Sequence, residues 1–272
     1  MIPAPFAYER ARSVTEALDL LARYGDEAAI LAGGHSLLPA MKLRRKRPGV
    51  VVDIGPCGRE LGSVRVEGDE LVLGALVTHH TAATSAVVAA CAPIMADAAA
   101  RLGDPQVRRR GTLGGSLVEA DPAADLPGVA CALGAAMVVR GPGGERHIPA
   151  ARWFGATAPL APGELLTDVR VPVVAGAGWS YQRFTRRAGG WPVVAVAAVA
   201  HPACGVALVH MAPRPIRAHA VEMALAAGAT AAEAARLAGE GPAPPGDLDA
   251  SPAFRRHLAT VLTRRALEAA GW

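Results

Sequence analysis

Two glycine-rich turns, Ala32-Gly33-Gly34-His35-Ser36 and Gly111-Thr112-Leu113-Gly114-Gly115-Ser116, constrain this chain more than any other feature. A bare turn between a strand and a helix exposes consecutive backbone N–H groups, and phosphate oxygens can approach them because no Cβ intervenes. Either turn alone is an ordinary tight connection. Two in one α+β region, each ending in a hydroxyl side chain (Ser36 and Ser116), suit a diphosphate held from two sides. From the residues alone, that reading and a pair of plain turns both stay open. The chain has no G-x-x-x-x-G-K-[ST], and no G-x-G-x-x-G with an acidic residue at the right distance. An ATPase P-loop and a Rossmann dinucleotide site are therefore excluded.

The 272 residues, 51% of them hydrophobic, suffice for one large domain or two ordinary ones with a real core. Aromatics are only 4%, so Ala, Val and Leu fill the interior. The net charge of +4 permits nucleic acid, an acidic partner or an anionic cofactor without choosing among them. The run from Lys42 to Arg47 reads as a solvated basic face, and the lack of interleaved aromatics argues against a nucleic-acid groove. Cys57, Cys91, Cys131 and Cys204 lie far apart, which predicts no iron–sulfur cluster, no structural zinc and no disulfide framework. His79-His80 lacks a third ligand at helical or hairpin spacing, so a metal role is disfavoured. The first residues show no signal-peptide pattern. The most apolar segment, Trp191 to Met211, is interrupted by His201, Pro202 and Gly205 and reads as two buried strands joined by a turn, not a membrane span. A cytoplasmic location is expected.

Ser13-Val14-Thr15-Glu16 has the form of a capping box and predicts a helix over 14–24 ended by Gly25. Ala28 to Leu31 and Val50 to Ile54 read as strands, and Ser63 to Gly74 as a hairpin. One helix is predicted over about 82–101, then strands over 136–140 and 165–171. Beyond a boundary near Val173 to Gly178 come two or three strands, a helix over about 215–227, a Pro/Gly stretch at 239–247, and a last helix capped by Ser251-Pro252.

Several stretches together closely resemble the FAD-binding medium subunit of molybdenum hydroxylases, the family of carbon monoxide and xanthine dehydrogenases. They are Ala32 to Pro39 with Met41-Lys42, Arg110 to Leu117, Ala120 to Pro127, Pro162 to Leu166, Arg214 to Ala218 and Phe254 to Leu258. The resemblance covers nearly the whole chain in order. It implies an α+β fold with a two-lobed FAD-binding (PCMH-type) region over 1–173, with lobes of about 1–55 and 56–173. A smaller C-terminal domain over 178–272 would pack a short antiparallel sheet on helices.

By that resemblance, Ile30, Leu31, Ala32, Gly33, Gly34, His35, Ser36 and Leu37 wrap the FAD diphosphate with backbone amides. Thr112, Leu113, Gly114, Gly115 and Ser116 approach from the other side. Asp125 stands where the family has an acidic FAD contact, Leu166 where a backbone contact to the flavin is made, and Arg183 where relatives often carry lysine. Glu119 and Arg109 depart from the histidine and asparagine common in relatives. Trp191 either shields the flavin or packs in the C-terminal domain. The implied partners are a large subunit with the molybdenum centre and a small subunit with two [2Fe–2S] clusters, arranged as a dimer of heterotrimers. Electrons would pass from the clusters to FAD and on to an external acceptor, with no catalytic triad on this chain. A stand-alone flavoprotein and a flavin-free scaffold are the alternatives. Gly33→Val and Gly114→Val are expected to expel FAD while sparing the fold.

Overall fold

The computed structural model describes residues 2–155, 159–200 and 205–272. Its first lobe runs β1 (Ala7–Arg10), α1 (Val14–Tyr24), β2 (Ala28–Leu31), α2 (Leu37–Lys42), β3 (Val50–Asp53) and α3 (Gly58–Leu61). The strands form a parallel sheet in the order β1-β3-β2. The central strand is a β-branched run with both faces covered: Val50 and Val52 pack with Ala17 and Leu21 of α1, and Val51 packs with Leu37 and Met41 of α2. Ser13 caps α1 by accepting from the Glu16 amide, as its sequence predicts. The Glu16 carboxylate reaches one residue further back, accepting from the Arg12 amide at 2.7 Å.

The second lobe begins with the hairpin β4 (Val64–Glu67) and β5 (Glu70–Gly74), which turns at Gly68 with φ 62°. Three short helices come next, α4 (His79–Thr84), α5 (Ala86–Cys91) and α6 (Pro93–Ala100), in place of the single helix expected over 82–101. The breaks are local: the Ser85 hydroxyl accepts from the Val88 amide and starts α5, and Pro93 can only begin a helix. Then come α7 (Pro105–Arg110), α8 (Leu113–Glu119), α9 (Asp125–Ala132), β6 (Ala136–Gly141), β7 (Gly144–Pro149), α10 (Ala150–Gly155) and β8 (Leu165–Pro172). Strands β4-β5-β8-β6-β7 make an antiparallel sheet.

The remainder contains β9 (Trp179–Phe184), β10 (Val194–Val199), β11 (Gly205–Val209), β12 (Ile216–Arg217), α11 (His219–Ala226), α12 (Ala231–Arg236) and α13 (Pro252–Ala270). Its antiparallel sheet has the order β12-β11-β10-β9. The expected helix from 215 starts later, because Ile216 and Arg217 pair with Leu208 and Ala207 as an edge strand. The turn expected between β10 and β11, with Cys204, lies outside the described residues; Cys57, Cys91 and Cys131 are free thiols. One face of this sheet, through Tyr181, Ala195, Ala197 and Val209, joins the core of the second lobe, while Val194, Val196, Val206 and Leu208 on the other face pack under the C-terminal helices. Among the described residues no helix is long and apolar enough to cross a membrane.

Candidate functional site

A cleft of about 880 Å³ runs between the two lobes and under the β9–β10 connection. Ile30, Ala32, Gly33, Gly34, His35, Ser36 and Leu37 line it from one side, and Thr112, Gly114, Gly115 and Ser116 from the other. Asp125, Leu166, Arg183 and Trp191 complete its walls. Leu31 and Leu113 do not reach it: Leu31 packs beside Leu37 and Met41, and Leu113 is wholly buried in the second lobe's core.

The first turn leaves its amides free. Leu31 ends β2 with its carbonyl taking the Ile54 amide, and the next donors along the chain are the Leu38 amide to Gly34 O and the Ala40 amide to Ser36 O. Among the described residues nothing accepts from the amides of Gly33, Gly34, His35 or Ser36. Unpaired backbone donors in a row need water or an anion. His35 and Ser36 are exposed, so a ligand can reach this segment.

The second turn is different, and here the amide-cradle expectation needs correcting. The Leu113 amide donates to Val77 O, that of Gly114 to Ala75 O, and that of Ser116 to Thr112 O. The Gly115 amide donates to the Thr112 hydroxyl, which caps α8. With these donors spent inside the protein, Thr112 to Ser116 form a wall with a bare exposed patch at Gly115, not a second cradle.

The reason for the glycines also changes. A Cβ on Gly33 would stand 2.1 Å from the Arg110 carbonyl oxygen, and one on Gly114 would stand 2.6 Å from the Ala75 Cβ. Both positions are bare because neighbouring protein atoms, the Arg110 carbonyl and Ala75, fill the space. Valine at either would therefore break the packing of the turn itself, contrary to the expectation of an intact fold.

Asp125 and Arg183 belong to a buried network. Arg183 donates through Nη1 to Arg101 O at 2.7 Å and through Nη2 to Gly190 O at 2.5 Å, while its Nε lies 3.4 Å from Asp125 Oδ1. Tyr181 donates its hydroxyl proton to the same Asp125 oxygen. Burial pushes the Asp125 carboxyl up, and Arg183 and Tyr181 oppose the shift; burial, with Asp125 beside it, raises Tyr181 well above the ordinary phenol range. Asp125 is 1% exposed and bears on the cleft through Arg183, which lines it, while Tyr181 stays buried behind. Trp191, next to the pinned Gly190, is 64% exposed at the rim.

Lys46 and Glu119, on opposite sides of the cleft, pair at 3.1 Å. His79, Leu102, Gly103 and the 160–165 segment also line the cleft, and sequence reasoning does not assign them there. Pro162 to Leu165 belong to one of the family-like stretches, but no periodicity or motif marks His79, Leu102 or Gly103, which arrive through tertiary packing. Among the described residues no group of three or more His, Cys, Asp or Glu is arranged to hold a metal ion.

Comparison with known proteins bears on the fold that holds this cleft. Residues 4–174 match the FAD binding domain in molybdopterin dehydrogenase, and residues 179–270 match the CO dehydrogenase flavoprotein C-terminal domain. The carbon monoxide dehydrogenase medium chain of Hydrogenophaga pseudoflava is 36% identical over 283 residues, covering 99% of this chain and 98% of that relative. The caffeine dehydrogenase subunit beta of a Pseudomonas species is 36% identical over 232 residues, covering 82% of this chain and 78% of the relative. A solved structure of the Hydrogenophaga pseudoflava carbon monoxide dehydrogenase superposes with a TM-score of 0.92 over 99% of this chain and 98% of that one, at 36% identity. Quinoline 2-oxidoreductase from Pseudomonas putida 86 superposes with a TM-score of 0.90 at 33% identity, covering 99% of this chain and 98% of that one.

Proposed function

The chain belongs to the family of FAD-binding medium subunits of molybdenum hydroxylases, and from that premise we propose that its first glycine turn holds the FAD diphosphate. The observation that carries this reading is the row of four unpaired amides, Gly33 to Ser36, in residues that line a cleft of about 880 Å³. A cleft of this size is in the range that encloses a cofactor. Bound there, FAD supplies the redox chemistry, taking up single electrons and releasing one or two.

The chain's own residues do the rest. Residues 33 to 36 neutralise the diphosphate with fixed N–H dipoles, and Gly115 and Ser116 bound the opposite side. Leu166 presents main chain to the flavin. Asp125 is a positioning residue: it holds Tyr181 and the Arg183 guanidinium, and Arg183 in turn pins Gly190 beside Trp191. Trp191, exposed at the rim, shields the flavin face.

In this reading the subunit works in the cytoplasm between a [2Fe–2S] subunit, which delivers electrons, and an external acceptor, with a molybdenum subunit oxidising the substrate. The assembly is a dimer of such heterotrimers. Residues 1–173 form the cofactor unit and residues 178–272 the C-terminal one.

The test is Ser36→Asp. Ser36 is exposed and precedes α2 without making a side-chain cap, and aspartate is a favoured residue at that position, so the helix is not harmed. The added carboxylate repels a diphosphate. FAD released on heat denaturation should fall at least tenfold while circular dichroism stays unchanged. Wild-type flavin content in Ser36→Asp would remove the first turn from the site.

A further inference from the structure

His79 starts α4 behind the Thr78 cap, and its amide donates to Gly111 O at 3.0 Å, so its backbone is fixed against the second turn. Its side chain is buried, 8% exposed, yet it lines the cleft. Nδ1 is shut in with no hydrogen-bond partner among the described residues. The other edge of the ring lies against Gly111, where a Cβ would stand 2.6 Å from Cδ2 and 2.7 Å from Nε2. Gly33 packs on the same short segment, because a Cβ there would meet Gly111 Cα at 3.0 Å. His79, Gly111 and Gly33 are thus successive layers of one wall, and Gly33 opens the row of free amides.

Burial, with His35 adding to it, pushes His79 down to about 4, so the ring is neutral at neutral pH and carries a single proton. An orphaned buried N–H is rarer and costlier than an orphaned acceptor, which places that proton on Nε2. A neutral donor in the lining of the same cleft as the four unpaired amides then has no acceptor among the described residues.

Resting on the FAD reading above, we infer that His79 is a further cofactor-binding residue, donating from Nε2 to a phosphate oxygen of the FAD diphosphate across Gly111 from the first turn. The sequence gives no sign of this, since a His-His pair after a strand has no spacing that points to phosphate.

The experiment is an FAD titration of the full, deflavinated chain, monitored by flavin fluorescence quenching, for wild type, His79→Leu and His79→Gln. Circular dichroism monitors the fold. A hydrogen bond to a charged group predicts a Kd raised about tenfold or more in His79→Leu. His79→Gln, which keeps an N–H donor, should stay within a fewfold of wild type. A Kd unchanged in folded His79→Leu, or raised equally in both variants, overturns the assignment. Should His79→Leu fail to fold, ¹⁵N NMR of the wild-type imidazole decides: FAD must move the Nε2 resonance, and an unmoved resonance overturns the assignment. These failures leave FAD binding by the wild type intact, whereas a wild-type chain that takes up no FAD overturns the reading beneath as well.

Discussion

Gly33 and Gly34 are neighbours that are glycine for different reasons. Gly34 has φ 81°, a left-handed conformation that costs a side-chain-bearing residue about 1–2 kcal/mol. Gly33 needs no special dihedral but has no room, with the Arg110 carbonyl where its Cβ would be. Overpacking against rigid backbone adds about 1–3 kcal/mol. Gly33→Ala should accordingly lower stability in urea at least as much as Gly34→Ala, and it alone should loosen the contact between the two turns, seen as faster amide exchange at Gly111. Equal exchange in both variants would contradict that assignment. His79 makes a pH prediction for the flavin-free chain. Its folded-state value, about 4, lies below the ordinary 6.5, so the unfolded chain binds the extra proton between those limits. The stability it contributes is complete above pH 6.5 and is lost as the pH falls toward 4, by up to about 3 kcal/mol. His79→Gln should flatten the fall in melting temperature across that window, and parallel wild-type and variant curves would count against it.

Helix α13 shows how an element carries both a cap and a flaw. Ser251 accepts from the Phe254 amide and Pro252 occupies the first turn, so its start is set by local sequence. Arg255, fully buried one turn in, donates to Val193 O and to the Asp247 carboxylate, fastening the helix to the entry of β10 and to the Pro/Gly stretch. Thr263 is also fully buried, but its hydroxyl has no partner among the described residues. An unsatisfied buried hydroxyl costs about 1–3 kcal/mol, and valine has nearly the same shape without it. Thr263→Val should raise stability by about 1 kcal/mol in denaturant melts; a loss of stability would mean that the hydroxyl is satisfied in solution. The broken helix at 79–100 teaches the same lesson from the other side. Its apolar spacing reads as continuous, yet a serine cap and a proline inside it each begin a new helix.

At the scale of the molecule, the sheet β9–β12 serves two cores at once. Tyr181, Ala195, Ala197 and Val209 complete the core of the second lobe, while Val194, Val196, Val206 and Leu208 close the core under α11, α12 and α13. Packing is close enough that a Cβ on Gly205 would stand 1.9 Å from Ala132 O, and one on Gly178 1.9 Å from Ala270 O. The cofactor region should therefore depend on the C-terminal domain for its own stability. Residues 1–175 expressed alone should be insoluble or bind the dye ANS strongly, because α6 and α9 would expose their apolar face. A soluble, cooperatively melting fragment would contradict this. The same junction shapes the cleft, since Arg183 and the Gly189 to Trp191 segment come from the last sheet, while Arg101 and Asp125 come from the second lobe.

Sequence by itself determined the caps, the three-valine central strand, the hairpin at Gly68 and the first turn, because each is set by neighbours a few residues apart. It also carried the family, whose motifs stand in order along the chain. Tertiary structure alone decided that the first turn keeps its amides free while the second spends its own on Ala75 and Val77. Both turns carry a Gly-Gly pair followed within two residues by a serine, and the difference lies in the carbonyls of Ala75 and Val77, just after β5, which only the second turn meets. His79 and the Asp125–Arg183–Tyr181 network are of that kind too. Their main partners lie tens of residues away, and burial, which no local pattern records, brings them together.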